Sequence, residues 1–266
     1  MTHTNDPNTT PPPQRHLTVV GLVVVVVVYL VVIQGLGVLL HQLAHSDAPY
    51  GEFPDELSIL YGIIVPVGLS ILFVLGVVAW LGWQRDVFVD GLPTRKWVWI
   101  VPAILVATAL VVTDYGNLAD IGGAFVLTLA LGSLLVGVGE EIMFRGLGIA
   151  TFRKNGFPEA RVALWSSILF GAAHLSNIFL EGPGALMQVL IVSVSGFYFY
   201  LCRRVSGGLL VPILCHAAWD FSLFSGQAGV DPDIYALAGL AMVTNVVLLI
   251  ILVVRRHHIE PAPAAT

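Results

Sequence analysis

Long apolar segments recur along almost the whole sequence, and they constrain the fold more than any other feature. Hydrophobic residues make up 57% of the chain and charged residues only 11%. A helix needs roughly 18 to 20 apolar residues to cross a hydrocarbon core of about 30 Å. Segments of about this length lie at 17–40, 57–83, 97–113, 121–152, 160–180, 183–201, 208–226 and 234–254. The sequence therefore predicts an all-α, polytopic membrane helical bundle with about eight transmembrane helices.

The basic residues predict how this bundle is oriented. Eleven of the 12 Lys and Arg residues fall in loops or tails on one side of the predicted bundle, while the other loops carry only acidic residues. The positive-inside rule assigns the basic side to the cytoplasm. We therefore predict a multi-pass protein of the cell membrane, embedded in the lipid bilayer, with both termini cytoplasmic. The remaining basic residue, Arg145, lies inside a predicted span.

The two ends of the chain differ in composition from the bundle. Residues 1–16 are rich in Thr, Pro and Asn, which predicts a disordered cytoplasmic tail, and 257–266 forms a short C-terminal tail. Residues 17–256 are predicted to form a single membrane-embedded helical domain. Cys202 and Cys215 lie in or beside predicted spans, so a disulfide framework is not expected. With so few basic residues, the sequence indicates no nucleic-acid partner.

A small set of ionisable side chains lies inside the predicted spans. They are Glu140, Glu141, Arg145, His174, His216 and Asp220. Such residues are costly in a membrane and usually functional, although they could instead form buried ion pairs that only stabilise helix packing. Counted from the nearest cytoplasmic basic residues, Glu140, His174 and His216 each lie about 18–20 Å deep. Their shared depth predicts one cavity bounded by three helices.

The spacing of these residues suggests separate roles. Glu141 and Arg145 are four residues apart and share a helical face, which favours a salt bridge. Glu140 is rotated by about 100° from Glu141, so it is free to face the cavity as the candidate general base. His216 and Asp220 are also four residues apart and share a face of the seventh predicted helix.

The common depth also makes demands on the helices themselves. The fourth predicted helix has to be long, tilted or broken near Gly132, Gly137 and Gly139. On the seventh helix, Pro212 either kinks the helix so that His216 faces inward or is simply tolerated in the packing.

Three short motifs on successive predicted helices resemble a known family. They are Glu140-Glu141-x-x-x-Arg145, Phe170-x-x-x-His174 and His216-x-x-x-Asp220. In type and order they are similar to the motifs of the type II CAAX prenyl endopeptidase and bacteriocin-processing group (CPBP, also called Abi) of intramembrane proteases. The resemblance covers about 121–226.

The resemblance implies an endopeptidase that hydrolyses peptide bonds in a membrane-associated peptide or protein. Glu140 and His174 would activate the attacking water, while His216 and Asp220 would face the oxyanion. Asp220 can donate to an oxyanion only when protonated, and otherwise would orient His216. Metal dependence stays open, because Glu140, His174 and His216 could hold Zn²⁺, yet a water bound by Glu140 and His174 needs no metal.

Other classes of membrane protein fit the sequence less well. The segment from His41 to His45 resembles a zinc-protease motif, but Gln42 replaces its catalytic Glu. Neither a rhomboid-type serine motif nor presenilin-type paired aspartates occur in the sequence. A non-catalytic peptide-binding or immunity protein with the same fold, and a proton-coupled transporter, remain as alternatives.

Overall fold

A computed structural model describes residues 15–44, 52–178, 182–229, 237 and 239–260. We label the longer helices of these residues in chain order. They are α1 (Val19–Leu43), α2 (Glu56–Leu81), α3 (Lys96–Val112), α4 (Gly123–Lys154), α5 (Glu159–Ala173), α6 (Gly184–Ser206), α7 (Leu210–Ser225) and α8 (Gly239–Arg255). The described residues form only isolated β-bridges and no strand. The prediction of an all-α bundle is confirmed.

Fewer helices of the described residues are long and apolar enough to span a membrane than the sequence predicted. Each of the eight predicted segments contains a helix, but within the described residues only α1, α2, α4, α6 and the helix at Gly239–His258 are long and apolar enough to cross a membrane. A sixth span results if α3 is combined with the short helix Tyr115–Ile121, from which it is bent by 57°. Helices α5 and α7 have 15 and 16 residues. The count of eight is therefore not confirmed, and the predicted cytoplasmic position of the termini stays a prediction.

Helix α4 is long and continuous, and it changes its winding at the carboxylate pair. The stretch Glu141–Gly148 is π-helical, and every residue in it is buried. The glycines before this stretch allow close packing instead of breaking the helix. A Cβ atom at Gly137 would lie 2.9 Å from the carbonyl oxygen of Ile213 on α7, and one at Gly139 would lie 2.7 Å from the hydroxyl group of Tyr29 on α1. Helix α7 therefore approaches α4 closely beside Glu140, and the side chain of Tyr29 reaches the same part of α4 from α1.

Helices α5 and α6 also pack closely through a glycine. A Cβ atom at Gly171 would lie 1.9 Å from Oγ of Ser193 and 2.6 Å from the carbonyl oxygen of Val189. Helix α5 ends directly after this contact, where a 3₁₀ turn begins at His174. On α7, Pro212 is the third residue of the helix. Proline is tolerated in a first helical turn, so Pro212 marks the start of α7 and does not kink it.

A buried ionic cluster joins the ends of α4, α5 and α6. Asp90, in the loop between α2 and α3, lies 2.9 Å from Nη2 of Arg153, 3.1 Å from Nε of Arg203 and 3.8 Å from Nε of Arg204. Glu159 pairs with Arg153 at 2.6 Å and with Arg204 at 3.1 Å. We call these five residues the Asp90 cluster. It fixes the ends of three helices that carry the candidate site.

Candidate active site

Glu141 lies at the centre of the buried polar contacts and is fully buried. One of its carboxylate oxygens, Oε1, is 3.0 Å from Nη1 of Arg145 and 2.7 Å from Nδ1 of His216. The i,i+4 ion pair expected from the sequence is therefore present. The contact with His216 was not predicted, because it joins residues 75 positions apart on different helices. Glu141 thus connects the first and third motifs.

Glu140 and Asp220 face the other side of His216. Their carboxylate oxygens each lie 3.5 Å from Nε2 of the ring, and their side chains are 18% and 16% exposed. Both residues line a cavity of about 850 Å³, as do His174 and His216, whereas Glu141 does not. The predicted convergence of the polar residues on one cavity is therefore found in the structure.

His174 lies at the end of α5, and one contact with a backbone oxygen determines which nitrogen of its ring carries a proton. Nδ1 is 3.0 Å from the carbonyl oxygen of Phe170, four residues earlier. A carbonyl oxygen can only accept a hydrogen bond, so Nδ1 carries the proton. In the neutral ring, Nε2 then presents a lone pair to the cavity. That nitrogen is suited to accept a hydrogen bond from water.

Two phenylalanine rings enclose the buried cation and the imidazole. Arg145 lies with its guanidinium carbon 3.8 Å from the ring centroid of Phe170 and 5.1 Å from that of Phe199. His216 stacks on Phe199 at 4.6 Å with an interplanar angle of 10°, and meets Phe170 edge-on at 5.8 Å. Aromatic faces stabilise buried cations through their quadrupoles. Phe170 therefore contacts both the guanidinium group of Arg145 and the imidazole ring of His216, a role that its place in the second motif did not reveal.

Other lining residues come from outside the motifs. Trp219 lines the cavity. His41 also lines it, whereas His45 lies outside the described residues. Tyr29, on the first helix, has no sequence signal that could have indicated its place at the site.

The side chains around the cavity do not form a ready metal site. In the part of the chain that the structure describes, no group of three His, Cys, Asp or Glu side chains is arranged to hold a metal ion. Nδ1 of each histidine is hydrogen-bonded, to Phe170 in one case and to Glu141 in the other, so Nε2 is the ring nitrogen that is left for a further partner. Glu140, His174 and His216 share the cavity, but in this structure they are not gathered around one point as the ligands of a zinc ion have to be.

The fold and the site together define a polytopic helical membrane protein with a glutamate and histidine centre inside its bundle. Residues 122–222 match the family model described as "Type II CAAX prenyl endopeptidase Rce1-like". All three motifs lie within this segment, so the part of the chain that carries the site is similar to this endopeptidase family. No curated protein and no solved structure matches the chain.

Proposed function

We propose that this protein is an intramembrane endopeptidase that hydrolyses a peptide bond with a water molecule activated by Glu140 and His174. One observation carries the proposal. Glu140 and His174 line the same cavity as His216, whereas Glu141 contacts Nδ1 of His216 and does not line the cavity. The cavity therefore holds a carboxylate that is not used in the ion pair with Arg145.

The proposed reaction forms a tetrahedral intermediate and then breaks it down. His174 accepts a hydrogen bond from the water at Nε2, and the Glu140 carboxylate takes a proton from the same water. The water oxygen bonds to the carbonyl carbon of the peptide, and the electrons of the carbonyl double bond move onto its oxygen. The intermediate collapses when the carbon–nitrogen bond breaks and the leaving nitrogen takes the proton from Glu140.

His216 and Asp220 are proposed to stabilise the oxyanion. Nδ1 of His216 donates to the Glu141 carboxylate, whose charge favours the imidazolium form of the ring. In that form Nε2 also carries a proton and can donate it in a hydrogen bond to the oxyanion. Asp220 lies 3.5 Å from the same nitrogen, so it donates to the oxyanion when protonated and orients the ring when ionised.

The substrate is proposed to be a membrane-associated peptide or protein. The family match supports a proteolytic substrate, and the cavity is lined by apolar side chains together with the polar residues of the site. The cell membrane is the proposed location, with both termini in the cytoplasm. Prenylated and unprenylated versions of one peptide, compared as substrates, would show whether a lipid group contributes to recognition.

The proposal is tested with purified protein in liposomes and a library of membrane-anchored peptides. Glu140→Gln and His174→Ala should each abolish cleavage, because each removes a group that binds the water. Glu52→Gln is the matched control, since Glu52 lines the cavity but belongs to no motif. Unchanged cleavage in Glu140→Gln would refute the mechanism. Proton flux that depends on Glu140, without any cleavage, would instead favour a transporter.

The proposed mechanism uses no metal, and this can be tested separately. Cleavage should persist after exhaustive dialysis against a chelator, with metal content measured on the same sample. Loss of cleavage that Zn²⁺ restores would show that Glu140, His174 and His216 assemble a zinc site in the working enzyme.

A further inference from the structure

Tyr29 on α1 lies at the candidate site, although it belongs to none of the three motifs and falls outside the matched segment 122–222. Its side chain is 1% exposed and lines the cavity that Glu140 and His174 also line. Its ring meets Phe144 edge-on, with the ring centroids 6.5 Å apart. The ring is therefore held in place by packing, and its polar end lies in the site.

The hydroxyl group of Tyr29 is buried and has no hydrogen-bond partner among the described residues. A buried polar group in this state lowers stability, and phenylalanine would fill nearly the same space without this cost. Stability therefore does not explain why a tyrosine stands here. Oε2 of Glu140 is also buried and lacks a hydrogen-bond partner in the same part of the chain.

Two observations place the hydroxyl group beside Glu140. A Cβ atom at Gly139 would lie 2.7 Å from the hydroxyl oxygen, so the oxygen touches the backbone of the residue just before Glu140. The side chains of Tyr29 and Glu140 also line the same cavity. Any side chain at Gly139 would push the hydroxyl group away, and glycine keeps it in place.

We propose that Tyr29 is a positioning residue for Glu140. In the reacting complex its hydroxyl group donates a hydrogen bond to the Glu140 carboxylate and holds it toward the attacking water. A phenol can donate to a carboxylate, and hydrogen bonds to charged groups are the stronger ones. Tyr29 transfers no proton in this role. The inference rests on the proposed function, because it concerns the same hydrolysis.

The test is Tyr29→Phe, which removes only the hydroxyl oxygen. With the best-cleaved peptide of the library, kcat should fall about tenfold to a hundredfold, while KM stays nearly unchanged. The melting temperature should stay the same or rise. Tyr198→Phe is the matched control, because Tyr198 is equally buried but donates to the backbone oxygen of Asn245 at 2.5 Å. That variant should lose stability and keep its kcat.

A second variant tests whether Gly139 matters because it leaves room for the hydroxyl group of Tyr29. Gly139→Ala should lower kcat by displacing the hydroxyl group, and the double variant with Tyr29→Phe should lose no more than Tyr29→Phe alone. Additive losses would overturn the link, because the added methyl group would then act through another contact, such as Ile71 at 3.2 Å.

The outcomes separate this inference from the proposed function. If Glu140→Gln is inactive and Tyr29→Phe keeps its kcat, only the role of Tyr29 is wrong. If Glu140→Gln still cleaves, the proposed mechanism is wrong, whatever Tyr29→Phe does, and if the wild type cleaves no peptide, the proposed function is wrong. A Tyr29→Phe protein that fails to fold would also contradict the inference, because it would show that the hydroxyl group serves the fold.

Discussion

The carboxylate of Glu141 lies 2.7 Å from Nδ1 of His216, and the same oxygen contacts Arg145 at 3.0 Å. One buried anion therefore neutralises a buried cation and fixes an imidazole ring that faces the cavity. Glu140, one residue earlier, makes neither of these short contacts. The two adjacent carboxylates thus differ in burial, partners and proposed role.

This difference predicts that substitution of Glu141 lowers stability far more than substitution of Glu140. Glu141→Gln leaves the guanidinium group of Arg145 buried without its counter-ion, and we expect a loss of about 3–5 kcal/mol in the free energy of unfolding. Glu140→Gln removes a partly exposed carboxylate that faces the cavity, so its stability should stay within about 1 kcal/mol of the wild type. Thermal unfolding in detergent measures both. Equal losses of stability in the two variants would contradict the different roles given to Glu141 and Glu140.

Arg203 is predicted to require its guanidinium shape as well as its charge. It is fully buried, pairs with Asp90, and donates to the backbone oxygens of Asp86, Val87, Val89 and Arg145. Lysine keeps the charge but has only three donors, so Arg203→Lys leaves at least two of these acceptors unpaired. We expect a loss of roughly 2–4 kcal/mol.

The control for Arg203 is Arg85→Lys, at an exposed arginine in the loop between α2 and α3 that also carries Asp90. Its unfolding temperature should match that of the wild type. If Arg203→Lys is equally stable, the Asp90 cluster does not depend on the geometry of the arginine fork.

Gly171→Ala tests the close approach of α5 and α6. The new methyl group would meet both a side chain and a backbone oxygen of α6, at 1.9 Å and 2.6 Å, so the helices have to separate. Overpacking of this kind costs about 1–3 kcal/mol. Cleavage should fall as well, because His174 lies less than one turn further along. Gly76→Ala, where a Cβ atom would meet nothing within 4 Å, is the matched control in α2. It should leave stability and cleavage intact.

Glu159 predicts how stability depends on pH at the Asp90 cluster. Burial raises the pKa of this carboxyl, but the hydrogen bonds from Arg153 and Tyr200 and the charges of Arg153 and Arg204 outweigh it and lower the pKa from 4.5. Because the folded pKa is below the unfolded one, the stabilisation is complete above pH 4.5 and is lost as pH falls through the folded value.

The corresponding experiment compares the wild type with Glu159→Gln across this pH range. Glu159→Gln should be less stable at pH 7 but should lose less on acidification, because it has no proton to gain. Parallel curves for the two proteins would show that Glu159 does not contribute to the acid sensitivity.

The sequence predicted the parts of the site that follow from helical spacing. The pairing of Glu141 with Arg145, the shared face of His216 and Asp220, and the common depth of Glu140 and His174 all depend on distances along a helix. The apolar segments likewise predicted an all-α bundle. These features can be predicted without knowing which helices pack against each other.

The remaining features depend on contacts between distant parts of the chain. The hydrogen bond from His216 to Glu141, the place of Tyr29 and the stacking of Phe199 on His216 arise only when α1, α4, α6 and α7 pack together. Arg203 is one of the eleven basic residues that the sequence predicts to lie in loops or tails, yet it is buried because Asp90 and backbone oxygens surround it. The count of eight spans is not confirmed, and for α5 the reason is local, since this helix gives way to a 3₁₀ turn at His174.

The π-helical stretch of α4 restricts the insertions and deletions that the protein can tolerate during evolution. A π-helical turn holds more residues than an α-helical one, so Glu141–Gly148 acts as an insertion accommodated within the helix. It sets the rotation of the following turns, which carry Arg153 to the Asp90 cluster. The two ends of α4 are therefore kept in phase by the length of this stretch. Single-residue deletions or insertions within it should be tolerated less well than most substitutions.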